Sequence, residues 1–206
     1  MKYPRIPHFP WSKGYTVDDE RLVNIDALTG KHLIYTEKLD GENTVVSSER
    51  VHARSEDGYG QPWQTYMLRE AAAFQYDIPD GMFVCGENMY AVHSIEYEEL
   101  THYFYVFNIV FNGVVLSWDD TCSWADVLGV PTVPVIDVGV VTELPIPKES
   151  EFGTTCEGYV ARNADAFGVS DPYFKENIAK NVRKGHVQTD EHWTKNWRKA
   201  TLVGDR

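Results

Sequence analysis

Short apolar runs broken by glycine-bearing turns recur along most of the chain, a rhythm that predicts strands more often than helices. Leu33-Ile34-Tyr35 ends in a turn at Asp40-Gly41, and Val45-Val46 opens the next run. Thr44 to Ser48 alternates β-branched and polar residues, and Val51-His52-Ala53-Arg54 alternates apolar and polar ones, so residues 32–54 read as three strands and two turns. Further strands are predicted over Met82–Asn88, over the aromatic-rich Tyr103–Val110, over Pro131–Val141 and from Cys156 to Arg162. Helical spacing is confined to three places. Met67, Leu68, Ala71 and Phe74 predict a helix from about Gln64 to Phe74. Ser117 or Asp119 caps a second one over about 119–128. A third runs through the tail to about Leu202, anchored by Trp193 and Trp197.

Two stretches fall outside this rhythm. Residues 1–16 are dense in proline and aromatic residues, which excludes helix and sheet interior. They read as an extended arm pinned by Phe9 and Trp11, with Arg5 and His8 better explained by packing than by ligand contact. Asp57-Gly58-Tyr59-Gly60-Gln61-Pro62 reads as a flexible loop.

Composition narrows the classes. The 206 residues, 43% apolar, suffice for one domain with a real core. No apolar run approaches the roughly 20 residues of a membrane span, and residues 1–7 have no hydrophobic signal region. Cys85, Cys122 and Cys156 are widely spaced and odd in number, which argues against a disulfide framework or zinc site and for a reducing, cytoplasmic setting. The net charge of −12 counts against a nucleic-acid enzyme, since phosphate contacts dominate such binding. The charge is unevenly spread, however. Residues 175–206 carry eight bases and four acids, so this basic tail (185–206 at its core) is a candidate for meeting phosphates, and equally a solvated helix.

The chemistry concentrates at Lys38. It ends a buried run at a glycine turn, an unusual place for a solvated cation. Burial or a neighbouring cation lowers a lysine's pKa, and a neutral amine is a nucleophile. A surface hairpin turn would look the same in isolation.

The segment Glu37-Lys38-Leu39-Asp40-Gly41-Glu42-Asn43 resembles the first motif of the covalent nucleotidyltransferases, and within them the ATP-dependent RNA ligases, in a small bacteriophage-type branch. That resemblance implies that Lys38 attacks the α-phosphate of ATP to form a lysine–AMP adduct, with Glu37, Asp40, Gly41 and Asn43 contacting the nucleotide. Counterparts of the later motifs follow in order. Arg54 matches a phosphate-binding arginine, beside Ser55, and its planar fork suits phosphate oxygens. Glu87, after a strand and Gly86, matches the glutamate that holds the ribose hydroxyls. Phe107 in Phe104-Tyr105-Val106-Phe107-Asn108-Ile109 matches the ring that stacks on adenine, with Asn108 replacing the usual aspartate. Glu157-Gly158-Tyr159-Val160 matches the metal-serving glutamate motif. Lys180 matches the first of two lysines in the last motif. Two positions on stands Val182, so the second role falls to Lys184, Arg183 or Lys175.

The implied architecture is α+β: a single nucleotidyltransferase domain over 1–206, ATP-grasp-like, with two antiparallel sheets, flanking helices and no C-terminal oligonucleotide-binding barrel. The implied cofactors are ATP and Mg²⁺ or Mn²⁺. The implied partner is RNA, as single strands, a nick or an RNA/DNA duplex, with 5′-phosphate and 3′-hydroxyl ends. The protein is expected to be a monomer without membrane contact, with an accessory protein for end binding left open. A DNA ligase, a capping-type guanylyltransferase and an inactive nucleotide- or nucleic-acid-binding domain remain the alternatives. His186, Asp190 and His192 are spaced too loosely for a metal site.

Overall fold

The computed structural model describes residues 1–54, 61–185 and 197–205. The structure is α+β, and its named strands form two antiparallel sheets. The first sheet takes β1 (Leu33–Glu37), β7 (Val135–Gly139), β8 (Gly158–Asn163) and β10 (Ile178–Val182), in the order β10-β8-β1-β7. The second takes β2 (Glu42–Val46), β3 (Val51–Ala53), β4 (Met82–Asn88), β5 (Phe104–Phe111), β6 (Val114–Val115) and β9 (Phe167–Gly168), in the order β3-β2-β4-β5-β6-β9. β1 passes through the middle of its sheet with all five residues buried, which accounts for its unbroken apolar start. The turn at 38–41 then carries the chain from the first sheet into the second.

Two helices cover the outer face of the six-stranded sheet. Met67 and Ala71 of α1 (Pro62–Ala71) and Ala125 and Leu128 of α2 (Trp118–Leu128) pack with Val46, Val84, Val106 and Ile109. α1 starts and ends earlier than its spacing suggested. Gln61 forms a capping box with Gln64, and Pro62 is tolerated in the first turn, so the helix begins there. Phe74 lies beyond its end, in the following turn, and stacks on Phe104 with 6.3 Å between ring centroids. In α2 the cap is Ser117, whose hydroxyl accepts from Asp120 N–H at 3.1 Å. The strand expected over 131–141 is shorter: of that stretch Val135–Gly139, β7, pairs with β1.

The last described segment differs from the expected helix. Over 198–200 the backbone lies extended along 90–92. Val92 N–H donates to Arg198 O at 2.9 Å and Ala200 N–H to Tyr90 O at 2.8 Å, which takes up groups a helix would use internally. Arg198 pairs with Glu96, and Lys199 lies over the rings of Tyr90 and Tyr103. The expectations for Ser55, the 57–60 loop, His186, Asp190, His192, Trp193 and Lys195 fall outside the described residues. Among the described residues no helix is long and apolar enough to cross a membrane.

Candidate active site

Strand pairing builds the site around Lys38. Its backbone N–H donates to Gly158 O at 2.9 Å, continuing the β1–β8 ladder by one residue. That pairing brings Glu157 beside it from 119 positions away, and Lys38 Nζ donates to Glu157 Oε2 at 2.7 Å. The Glu157 side chain is 3% exposed and that of Lys38 25%, so Lys38 is the more accessible partner of the pair. Gly158 is dictated by packing, because a Cβ there would lie 2.0 Å from the carbonyl oxygen of Asn181 on β10.

Register fills in the rest of this wall. Thr36 faces Val160 and Val160 faces Lys180, so all three project from one side of the sheet into a cavity of about 430 Å³. The facing wall comes from the second sheet. Asn43 and Glu87 are direct cross-strand partners there, and both line the cavity with Arg54. Asn43 Oδ1 is buried without a hydrogen-bond partner, an acceptor left over for a ligand's donor.

Phe107 reaches the cavity through an irregularity. Along β4–β5, Cys85 pairs with Asn108 but Gly86 with Val106, which leaves Phe107 as the extra residue of a bulge. A bulge re-aims side chains, and here Phe107 and Asn108 both line the cavity, which strict alternation would forbid. Gly86 is required opposite it, since a Cβ there would lie 2.4 Å from the Phe104 ring. Phe107 meets the edge of Tyr3 at 5.2 Å between centroids. Asn108 accepts from the Arg162 guanidinium and donates to the Tyr3 hydroxyl. Arg162 is 1% exposed, and burial pushes its guanidinium down to about 10. Sequence reading missed Arg162 as part of the cavity wall, although its place on the pocket-facing side of an alternating strand was the available signal.

The electrostatics reverse one expectation. Burial does work to lower the Lys38 amine, but the carboxylates of Glu157, Glu87 and Asp40 outweigh it and hold the amine above the usual lysine value. In this state Lys38 is an ammonium, not a free amine. The depressed lysine is Lys180, pushed down to about 8 by burial and then by the charges of Lys38 and Arg54. Glu87 is pushed up to about 8, chiefly by burial, with Lys38 opposing and Glu157 adding to the rise. Its carboxyl accepts from Gly41 N–H at 3.1 Å.

Of the expected contacts, Glu37, Lys38, Asn43, Arg54, Glu87, Phe107 and Lys180 meet at the cavity, with Glu157 bonded to Lys38 behind it. Three do not reach it. Asp40 Oδ2 accepts from Ser94 and Ile95 N–H at 2.8 and 2.9 Å, so its carboxylate fastens that loop. Gly41 is packed against Asn88 and Met89, where a Cβ would lie 2.6 Å from Asn88 O. Lys184 is exposed past the end of β10. Lys175, another candidate for the second cation, pairs on the surface with Glu20 and Asp171 at 2.8 and 2.7 Å, and Arg183 does not line the cavity.

A lysine paired with a buried glutamate, a second acid, an aromatic ring and further cations thus meet around one cavity. The chain belongs to the RNA ligase family, whose family model matches residues 31–182. No curated protein sequence matches it. Among solved structures it is similar in fold to a Naegleria gruberi RNA ligase. A mutant of that ligase with ATP and Mn is 18% identical at a TM-score of 0.60, over 91% of this chain and 61% of that one. A second mutant, with AMP and Mn, is 18% identical at 0.57, over 80% and 53%. The same ligase with PPi is 18% identical at 0.58, over 77% and 51%. The chain thus spans between half and about three-fifths of the solved ligases it matches.

Proposed function

We propose that this chain is the adenylylating domain of an ATP-dependent RNA ligase, with Lys38 as the nucleophile. The reaction joins a 5′-phosphate to a 3′-hydroxyl through a lysine–AMP adduct and an adenylylated 5′ end. The observation that carries the reading is the Lys38–Glu157 pair at 2.7 Å, beside a cavity that Glu87, Phe107, Arg54 and Lys180 also line.

The residues divide the work. Lys38 must first lose the proton that Glu157 now helps to hold. The neutral nitrogen then attacks the α-phosphorus. The N–P bond forms, the bond from that phosphorus to the bridging oxygen breaks, pyrophosphate leaves with the electron pair, and the nitrogen, positive on bonding, gives a proton to solvent. Arg54 and Lys180 offset the growing charge on the phosphates. Phe107 gives the base a face to stack on. Glu87 and the unpartnered Asn43 Oδ1 take the donors of the nucleoside.

The described residues hold no group of three or more His, Cys, Asp or Glu side chains placed for a metal. Mg²⁺ or Mn²⁺ would be held by one protein carboxylate, Glu157, with water and phosphate oxygens completing the shell. When bound, such a cation neutralises phosphate charge and makes the α-phosphorus more electrophilic. It would also compete with Lys38 for Glu157, which removes the main support for the ammonium form.

Incubation with α-labelled ATP or GTP, followed by a denaturing gel, tests this reading. Label should pass from ATP to the protein and be lost in Lys38→Ala and in Lys38→Arg, since guanidinium stays protonated. Label retained in Lys38→Ala removes Lys38 from the role. Label from GTP alone indicates a capping-type enzyme, and no label from either indicates a binding domain. Joining assays on single strands and nicked duplexes of RNA and DNA then define the substrate.

A further inference from the structure

The cavity has a third wall that belongs to neither sheet. Residues 1–30 lie outside the stretch matched by the family model, yet Tyr3 to Ile6 and Asp18 to Glu20 close one side. This arm is docked along β10. Lys180 N–H donates to Pro7 O at 2.9 Å and Phe9 N–H to Lys180 O at 2.8 Å. Val182 N–H donates to Ser12 Oγ at 3.0 Å, and Gly14 N–H to Val182 O at 2.9 Å. The approach at Gly14 is close, for a Cβ there would lie 2.9 Å from Val182 Cγ1 and 2.5 Å from Arg183 O.

Position 182 is where the family resemblance implies a second cation, two residues beyond Lys180. The structure gives that position to the arm: Val182 is buried beneath it, at 2% exposure. None of the basic residues nearby in sequence compensates. Lys184 and Lys175 are turned to the surface, and Arg183 does not line the cavity. Arg5, on the arm itself, does line it. Its Nη1 donates to Asp18 O at 3.3 Å, which orients the guanidinium without neutralising it. Arg54 stands close enough that Arg5 adds to burial in lowering its guanidinium below the usual value. Two arginines held near one another at a cavity rim suit an extended phosphate anion, which each binds through a planar fork.

We propose that Arg5 supplies the cation that this chain lacks at position 182, and that with Arg54 it grips the pyrophosphate end of ATP during transfer to Lys38. The inference rests on the lysine-adenylylation reading above. Arg5 makes no new bond. It stabilises the charge that pyrophosphate gains when it leaves with the electron pair, and in the reverse direction it holds pyrophosphate for attack on the lysine–AMP adduct.

The test uses the full chain and three assays: Lys38 labelling by ATP, discharge of purified enzyme–AMP by inorganic pyrophosphate, and joining of a strand already adenylylated at its 5′ end. Arg5 is exposed, so Arg5→Ala should melt with the wild type. It should lose about tenfold or more in labelling kcat/KM and in discharge by pyrophosphate, the scale of a charged hydrogen bond. Arg5→Lys should restore part of both. Joining of the pre-adenylylated strand, which involves no pyrophosphate, should be unchanged. Unchanged labelling and discharge in Arg5→Ala overturn the proposal and leave the arm a packing element. A loss confined to pre-adenylylated joining overturns it too, and assigns Arg5 to the phosphates of the strand. If the wild type takes no label at all, the adenylylation reading itself fails, an outcome visible before any Arg5 variant is made.

Discussion

The site is held by two constructions. Lys38, Glu87 and Phe107 sit on or directly beside strands paired on both flanks, and Lys180 on an outer strand paired with β8, so their positions follow from register. Tyr3, Arg5 and Asp18–Glu20 sit on an arm that belongs to neither sheet and meets the body through isolated bridges, a few hydrogen bonds and the buried rings of Tyr3 and Phe9. The first is fixed by continuous ladders, the second by a few separate anchors, so a single substitution can loosen the arm without opening the ladders.

The largest effect should come from forcing the ladders apart. Gly158→Ala places a methyl 2.0 Å from Asn181 O, so β8 and β10 must separate. A loss of roughly 3 kcal/mol is expected, read as a lower Tm, and labelling of Lys38 should fall with it because Gly158 O anchors Lys38 N–H. A Tm equal to the wild type's would mean the ladder is looser than its register implies.

A middle-sized effect concerns charge. Lys180 is pushed down to about 8, so its positive charge is present below that pH and lost above it. ATP affinity should weaken from pH 7 to 9 in the wild type and stay flatter in Lys180→Arg, as measured by calorimetry. Stability carries the opposite sign. Between about 8 and the ordinary lysine value near 10.4 the unfolded chain binds more protons than the native one, so this group makes stability rise with pH across that window. Equal affinity profiles for wild type and Lys180→Arg would remove Lys180 from the phosphate site.

The smallest effect should separate the two constructions. Ser12→Ala removes the acceptor of Val182 N–H and the partner of His8 Nδ1 at 2.8 Å. About 1 kcal/mol is expected. Hydrogen exchange should quicken at residues 8–14 while the β1–β8 amides keep their protection, and uniform quickening would mean that arm and strands open together.

How much of this was legible beforehand varied with the kind of information needed. Lys38, Glu87, Phe107, Glu157 and Lys180 were singled out by motifs that resemble the family's in its order, and the apolar runs around them marked the strands. The partner of Lys38 was not readable from spacing, since only folding brings position 157 to it. The same gap explains the reversed charge on Lys38: burial can be guessed from a run of apolar residues, but not the carboxylates of Glu157 and Glu87 arriving from other segments. Strict alternation puts Phe107 and Asn108 on opposite faces, and only the bulge at Gly86 puts both in the cavity. The prolines of the arm did announce an extended chain. They could not announce that it docks on a strand 170 residues away, which is what turns Arg5 from a packing residue into a cavity one.

That docking also bears on how the protein keeps to itself. β10 is an outer strand of its sheet, and an open strand edge is a template on which another chain can add. Residues 7–9 occupy that edge on both sides of Lys180, so the arm acts as a seal against strand-by-strand association. The opposite edge, β7, is guarded otherwise: by a break in register between Tyr35 and Thr36, by Pro134 at its entry and by the charge of Asp137. Cutting the arm away would thus uncover a strand edge open to pairing with another chain.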